Sequence, residues 1–268
     1  MKINIAFSPC PNDTFIFDAI VNKKIDTEDL DFKIILADIG QLNKWSFQHI
    51  YHVTKLSYFA YTRCFNNYKI LNSGSALGEG CGPILVKKPG TNITNQSRIA
   101  IPGKYTTANF LLNISYPNLK NKYPVVFSDI EKLVLDDKYD AGVIIHENRF
   151  TYKEKGLVKI QDLGDAWSID TDLPIPLGGI AISRGLDEKT QHQVDRIIKR
   201  SLEYAINNNK ILSDYIKDNA QEMDDEIIKS HIDLYVNDFS LSLGDIGKLA
   251  IDKVFEKLGI KYDNIYLD

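Results

Sequence analysis

The richest run of chemistry-bearing side chains is Ala141-Gly142-Val143-Ile144-Ile145-His146-Glu147-Asn148-Arg149-Phe150-Thr151-Tyr152. A short apolar, β-branched run bounded by Asp140 and by a polar cluster reads as a buried strand, so His146 emerges where a parallel sheet stops. In open α/β sheets ligands gather at the carboxyl ends of the strands. Histidine can take or give a proton there because its ordinary pKa is ~6.5. The chemistry on offer is acid–base catalysis, although a structural histidine bonded to a loop carbonyl accounts for His146 equally well. Glu147 reads as an orienting group or a solvated one, and Arg149 as a carboxylate binder or half of a structural ion pair.

Three further loops offer polar groups at strand ends. Ile3 to Phe7 reads as a first strand, ended by Ser8-Pro9-Cys10-Pro11-Asn12-Asp13. Its two prolines forbid regular structure, and Asn12 or Asp13 is suited to cap the helix implied by Phe15, Ile16, Ala19 and Ile20. Backbone N–H groups at such a helix start suit a carboxylate or phosphate, so Ser8 and Asn12 join the candidates, with a plain strand-to-helix turn as the alternative. The strand Val53-Thr54-Lys55-Leu56-Ser57 ends in a lysine that could pair with an anion and a hydroxyl that could donate a hydrogen bond. A solvated lysine and a capping serine explain the same residues. Ile99-Ala100-Ile101 stops at Pro102-Gly103-Lys104, and Thr106 or Thr107 caps a helix carrying Phe110, Leu111 and Ile114.

Several chemistries are excluded. His49 and His52 are three apart, but no third ligand lies at a diagnostic spacing, so no metal is expected. Gly74-Ser75-Ala76-Leu77-Gly78-Glu79-Gly80-Cys81-Gly82 is followed by Pro83 and the strand Ile84-Leu85-Val86, whereas a dinucleotide loop must open a helix. There is no Gly-Lys-Ser/Thr phosphate loop and no Gly-x-Ser-x-Gly elbow. No cofactor is expected.

These side chains need a scaffold, and 268 residues suffice for two lobes with ample core. The chain is 44% hydrophobic and 25% charged, as globular proteins are. A net charge of -4 and a pI near 5.8, without a basic face, argue against a nucleic-acid or anionic-membrane partner and point to small molecules. Met1 to Phe7 enters a strand directly, no apolar window spans a bilayer, and Cys10, Cys64 and Cys81 form no Cys-x-x-Cys pair; a reducing cytoplasm fits these features.

The elements alternate strand and helix, cross near Ile84, continue as an inserted α/β block, and cross back near Ile182. Within the block, Ser128-Asp129-Ile130-Glu131 reads as a capping box, Leu157 to Ile160 as a short strand, and Asp165, Trp167 and Asp170 as loop residues. Beyond Asp187, Val194, Ile197, Ile198, Leu202 and Ala205 keep helical spacing, as do Ile228, Ile232 and Tyr235, and then Leu249, Ala250, Val254 and Phe255. The expected fold is α/β and two-lobed, with two crossover strands and a helical C-terminal region. Its lobe boundaries are 1–87 for the first segment of lobe 1, 88–178 for inserted lobe 2, and 179–268 for the second segment of lobe 1. The loops after Phe7, Leu56 and Ile101 then face each other across a cleft, with His146 on the inserted lobe, and such clefts close around a ligand.

Four segments carry a resemblance: Ser8-Pro9-Cys10-Pro11-Asn12-Asp13-Thr14-Phe15-Ile16-Phe17, Thr54-Lys55-Leu56-Ser57-Tyr58, Pro102-Gly103 with Thr106-Thr107-Ala108, and Ile144 to Tyr152. Together with Leu173-Pro174 to Gly178 and Tyr235-Val236-Asn237, they resemble the 1,4-dihydroxy-6-naphthoate synthase family of the futalosine route to menaquinone over nearly the whole chain. The resemblance implies a type 2 periplasmic-binding-protein-like fold. It implies a lyase acting on cyclic dehypoxanthinyl futalosine, a small carboxylate, with release of a three-carbon fragment. It also implies His146 as proton acceptor, and Lys55, Leu56, Ser57, Thr106, Thr107 and Ala108 as substrate-contacting residues. Two other readings stay open: the chorismate dehydratase of the same pathway and fold, and a non-catalytic binding protein for a small carboxylate.

Overall fold

The computed structural model describes residues 1–208, 212–221 and 224–267. In chain order the strands are β1 Lys2–Phe7, β2 Asp31–Leu36, β3 Val53–Ser57, β4 Tyr68–Ile70, β5 Ala76–Gly78, β6 Ile84–Lys87, β7 Ile99–Ile101, β8 Lys122–Pro124, β9 Ala141–Ile144, β10 Val158–Asp162 and β11 Ile175–Ser183. Among the described residues they form two sheets. The first has the order β2-β1-β3-β11-β4, with β5 also paired to β11. β1 runs parallel to β2 and β3, while β11 is antiparallel to β3, β4 and β5. The second has the order β10-β6-β9-β7-β8, with β7, β8 and β9 parallel and β6 antiparallel to both neighbours.

Burial on both faces explains the near-continuous apolar strands. Ile3, Ile5 and Phe7 of β1 are fully buried in a core shared with the helix Pro11–Val21 and the long helix Glu188–Asn208. That long helix contributes Val194, Ile197, Ile198, Leu202 and Ala205 at the expected three-four spacing, so the C-terminal helices complete the first lobe. The second lobe has its own core around Leu85, Ile101, Leu111, Val143 and Trp167.

The lobe boundaries differ from the sequence expectation. β6, placed before residue 88 and hence in the first lobe, pairs with β9 and β10 and buries Leu85 in the second core. Ile175 to Gly178, placed in the insert, pairs with β5 in the first sheet. The crossings therefore fall between Gly78 and Ile84 and between Asp162 and Ile175, and Ile182 lies well inside the first sheet opposite Val53. A strand belongs to the sheet that takes its hydrogen bonds, which an apolar run cannot announce.

Two local readings also change. Asp165, Trp167 and Asp170 lie on a helix, Leu163–Thr171, whose cap is Asp162 accepting from the Gly164 N–H at 2.9 Å. Leu163 and Trp167, four apart, supply its buried face. The expected capping box at Ser128–Glu131 does not form, because Glu131 is buried and its carboxylate accepts instead from Asn148 and, at 2.8 Å, from Lys155.

Candidate active site

The carboxyl ends of β1, β3, β7 and β9 converge on a cavity lined from both lobes. The first lobe contributes Ser8, Asn12, Asp13, Lys55 and Ser57; the second contributes Thr106, Thr107, Ala108 and His146. Ile39, Ile145, Leu177 and Tyr235 supply apolar surface, and Cys81 and Pro83 line it from the crossing between lobes.

His146 follows β9 in the left-handed region, with φ at +58°. Histidine is among the few non-glycine residues that visit this region. The ring is partly buried, meets Phe127 edge-on with centroids 4.9 Å apart, and its Nε2 has no hydrogen-bond partner among the described residues. Burial pushes its pKa down to about 4, against a smaller upward pull from Asp13 and a smaller downward one from Lys55. At neutral pH the imidazole is uncharged and can accept a proton.

Opposite stands a polar network centred on Asp13. One carboxylate oxygen accepts from the Ser8 hydroxyl at 2.7 Å and from the Ser8 N–H at 3.2 Å. The other lies 2.7 Å from Lys55 Nζ and accepts from Asn12 Nδ2 at 3.0 Å. Lys55 also donates to the Gly74 carbonyl at 3.1 Å. Asp13 is thus not the helix cap. Cys10 occupies the cap position without a side-chain bond, and Asp13, three residues into the helix, reaches back to tie down the loop.

Ser57 is held by Asn43, whose Oδ1 accepts from the Ser57 N–H at 2.9 Å and whose Nδ2 donates to the Ser57 Oγ at 3.0 Å. With that oxygen occupied as an acceptor, the hydroxyl hydrogen is the group Ser57 can offer a guest. Across the cavity, Thr106 caps the helix Thr107–Ser115, its Oγ accepting from the Asn109 N–H at 3.3 Å. The Thr107 hydroxyl donates to the Leu177 carbonyl at 2.7 Å, so its side chain can only accept from a ligand. The N–H groups of Thr107 and Ala108, in the first turn, form the positive end of the helix dipole.

The structure separates two candidates from the rest. Leu56 does not line the cavity: side chains alternate along a strand, so Lys55 and Ser57 face the cavity while Leu56 points the other way into a core with Tyr58, Leu77 and Phe255. Arg149 donates to the carbonyls of Gly80 and Gly82, both at 2.6 Å, and lies 3.4 Å from Asp162, so it braces the crossing rather than facing the cavity. Sequence reasoning missed Asn43 and His231, and saw in Asp13 only a cap. Glu147 is fully buried, not solvated.

Among the described residues, one group has the donors for a metal: Cys10, His146 and Glu147, with ligand atoms within 4.8 Å of one another. Burial raises the Cys10 pKa well above its ordinary value, so the uncomplexed thiol is neutral at pH 7.

Comparisons with known proteins agree with this architecture. A family described as menaquinone biosynthesis matches residues 3–259. The chain is similar to a 1,4-dihydroxy-6-naphthoate synthase from Thermus thermophilus, with 40% identity over 253 residues covering 94% of this chain and 92% of that protein. Among solved structures, protein AF1704 from Archaeoglobus fulgidus shares 35% identity with a TM-score of 0.88, covering 96% of this chain and 97% of that one. The periplasmic aliphatic sulphonate binding protein of Escherichia coli shares the fold alone, at 10% identity and a TM-score of 0.64, covering 98% of this chain and 90% of its own.

Proposed function

The chain belongs to the menaquinone-biosynthesis family, and from that premise we propose that it is a 1,4-dihydroxy-6-naphthoate synthase, a carbon–carbon lyase that acts on cyclic dehypoxanthinyl futalosine with His146 as general base. The observation that most directly supports this reading is the unpartnered Nε2 of a neutral imidazole, presented from one lobe into a cavity whose other wall carries Ser57 and the Asp13–Lys55 pair. A cleavage that ends in an aromatic ring draws its driving force from the aromaticity gained. The protein then has to start proton removal and hold the developing enolate, tasks for which a placed base and pre-organised donors each supply roughly 10²–10⁴-fold in rate.

In this reading His146 removes the proton. The Ser57 hydroxyl and the first-turn N–H groups of Thr107 and Ala108 hold the carboxylate and enolate oxygens, and Ile39, Ile145, Leu177 and Tyr235 enclose the carbon skeleton. Because Lys55 is already paired with Asp13, its charge acts through a neutral pair rather than as a bare cation. Three free, buried cysteines agree with a reducing cytoplasmic setting, and no helix among the described residues is long and apolar enough to cross a membrane.

The test is incubation of the purified protein with cyclic dehypoxanthinyl futalosine, and separately with chorismate, followed by mass analysis. Appearance of the dihydroxynaphthoate only from the first is the expected result. Turnover of chorismate would instead point to the dehydratase, and tight binding with no product from either to a binding protein.

A further inference from the structure

A seam joins the two walls of the cavity. The first-lobe helix Ile39–Phe47 carries Gly40, Asn43 and Phe47 three and four residues apart, hence on one face, and that face meets Pro102 to Tyr105, the loop that follows β7 in the second lobe. An added Cβ would stand 3.1 Å from the Pro102 carbonyl oxygen if placed on Gly40, and 3.3 Å from the Gly40 Cα if placed on Gly103, so two glycines let the backbones approach this closely. The Tyr105 ring then enters the first lobe. It meets Phe47 edge-on with centroids 4.9 Å apart, and the Arg63 guanidinium lies 5.0 Å from its centroid. Phe47 is itself packed against the first-lobe core around Leu56 and Tyr58.

The Asn43 amide ties this seam to the candidate site. It is buried, and its orientation is fixed because Oδ1 accepts from the Ser57 N–H, which can only donate. Nδ2 therefore turns its hydrogens toward two oxygens, the Ser57 Oγ at 3.0 Å and the Tyr105 carbonyl at 3.4 Å. Ser57 brings its hydroxyl to the cavity from the first lobe. The Tyr105 peptide leads directly into Thr106 and the helix start at Thr107, which line the cavity from the second. One amide thus spans the two sets of polar groups, although neither Asn43 nor Tyr105 lines the cavity itself.

Building on the synthase reading, we propose that Asn43 and Tyr105 are positioning residues: the Tyr105 ring clasps the two lobes together, and the Asn43 amide sets the spacing between the Ser57 hydroxyl and the helix start at Thr107. The guest is gripped from both sides only when this clasp is made. Any loss of clasped population therefore weakens apparent affinity by the same factor.

Two measurements test this. Spin labels on Glu203→Cys and Lys132→Cys, exposed sites on helices of opposite lobes, report the separation of the lobes, the native cysteines being buried. Double electron–electron resonance of the protein alone is expected to give one narrow distance. Tyr105→Phe, which retains the ring, should keep it, and Tyr105→Ala should replace it with a longer, broader distribution. A broad distribution in the unaltered protein, or an unchanged one in Tyr105→Ala, overturns the proposal. In turnover of cyclic dehypoxanthinyl futalosine, Tyr105→Ala should raise KM about tenfold with kcat within about threefold, because the guest's own contacts still close the lobes at saturation. Tyr105→Phe should stay within about twofold of the unaltered protein. Phe47→Ala should also raise KM, and the double variant should lie within about twofold of Tyr105→Ala, since both changes break one contact. Asn43→Asp keeps the acceptor for the Ser57 N–H but loses the amide hydrogens, and should raise KM by a similar factor. A loss carried by kcat, an equal loss in Tyr105→Phe, fully multiplicative losses, or an unchanged KM in Asn43→Asp overturns it. If the unaltered protein does not act on cyclic dehypoxanthinyl futalosine, the synthase reading fails, while the distance measurement still decides the clasp.

Discussion

Lys55 and Asp13 meet at 2.7 Å with side chains only 5% and 2% exposed, forming a buried ion pair on the wall of the candidate active site. Their oxygens and hydrogens are nearly all engaged, by Ser8, Asn12 and Gly74. Such a pair fixes the loop after β1 against β3.

Removing one member of the pair leaves a buried charge without its counter-ion. Lys55→Met is therefore expected to destabilise the fold by about 3–5 kcal/mol, and Asp13→Asn by less because the amide keeps part of the hydrogen bonding. The double variant should recover part of the Lys55→Met loss. Urea unfolding of the three variants measures this, and strictly additive losses would contradict it.

Replacing the base separates chemistry from folding. His146→Asn tolerates the left-handed backbone, lacks a basic nitrogen, and is expected to lower kcat by about 10²–10⁴-fold with little change in melting temperature. Near-normal turnover by this variant would remove His146 from the mechanism.

The pH dependence follows from the depressed proton affinity of the same ring. The unfolded chain protonates His146 near its ordinary value of 6.5, and the folded protein only near 4. Between these values the unfolded state binds more protons, so stability is full above 6.5 and falls as pH drops toward 4, by up to about 3 kcal/mol for this group. His231, also depressed by burial, acts in the same direction. Unfolding titrations at pH 7 and pH 5 should show a smaller drop for His146→Asn than for the unaltered protein, and the acid limb of kcat/KM should lie below pH 6.

Strand alternation predicts opposite behaviour for adjacent residues. Ser57→Ala removes a hydroxyl that faces the cavity and should raise KM by about ten-fold, the worth of one hydrogen bond to a charged group, and cost about 1 kcal/mol of stability because the Asn43 amide loses its acceptor. Leu56→Ala opens a hole in the core and should cost about 2–5 kcal/mol while leaving KM unchanged. Steady-state kinetics beside denaturant unfolding distinguishes the two.

Much of the frame was legible from local pattern. Val53 to Ser57 reads from the sequence as a short strand, and it is one. His146 lies just past β9, as a polar residue after a β-branched run should. The partners were not legible, because they arise from distant pairings: His231 meets Asn12 across 219 positions, and Asn43 meets Ser57 from a separate helix. Leu56 was carried along by a contiguous motif, whereas the strand sends every second side chain to the other face. The lobe boundaries were misplaced because β6 and β11 are apolar wherever they pair.

Arg149 and Asp162 both belong to the second lobe, one just past β9 and the other at the end of β10, and between them they clamp the backbone of Gly80 and Gly82. That short connector is therefore held from both sides, since Tyr235 of a C-terminal helix also donates to the Cys81 carbonyl at 3.4 Å, and the cavity wall it forms is tied to both lobes. Within it Gly80 takes a φ of +62°, a left-handed turn that glycine adopts at no steric cost, and so lets the chain leave β5 at Gly78 and reach the Arg149 guanidinium.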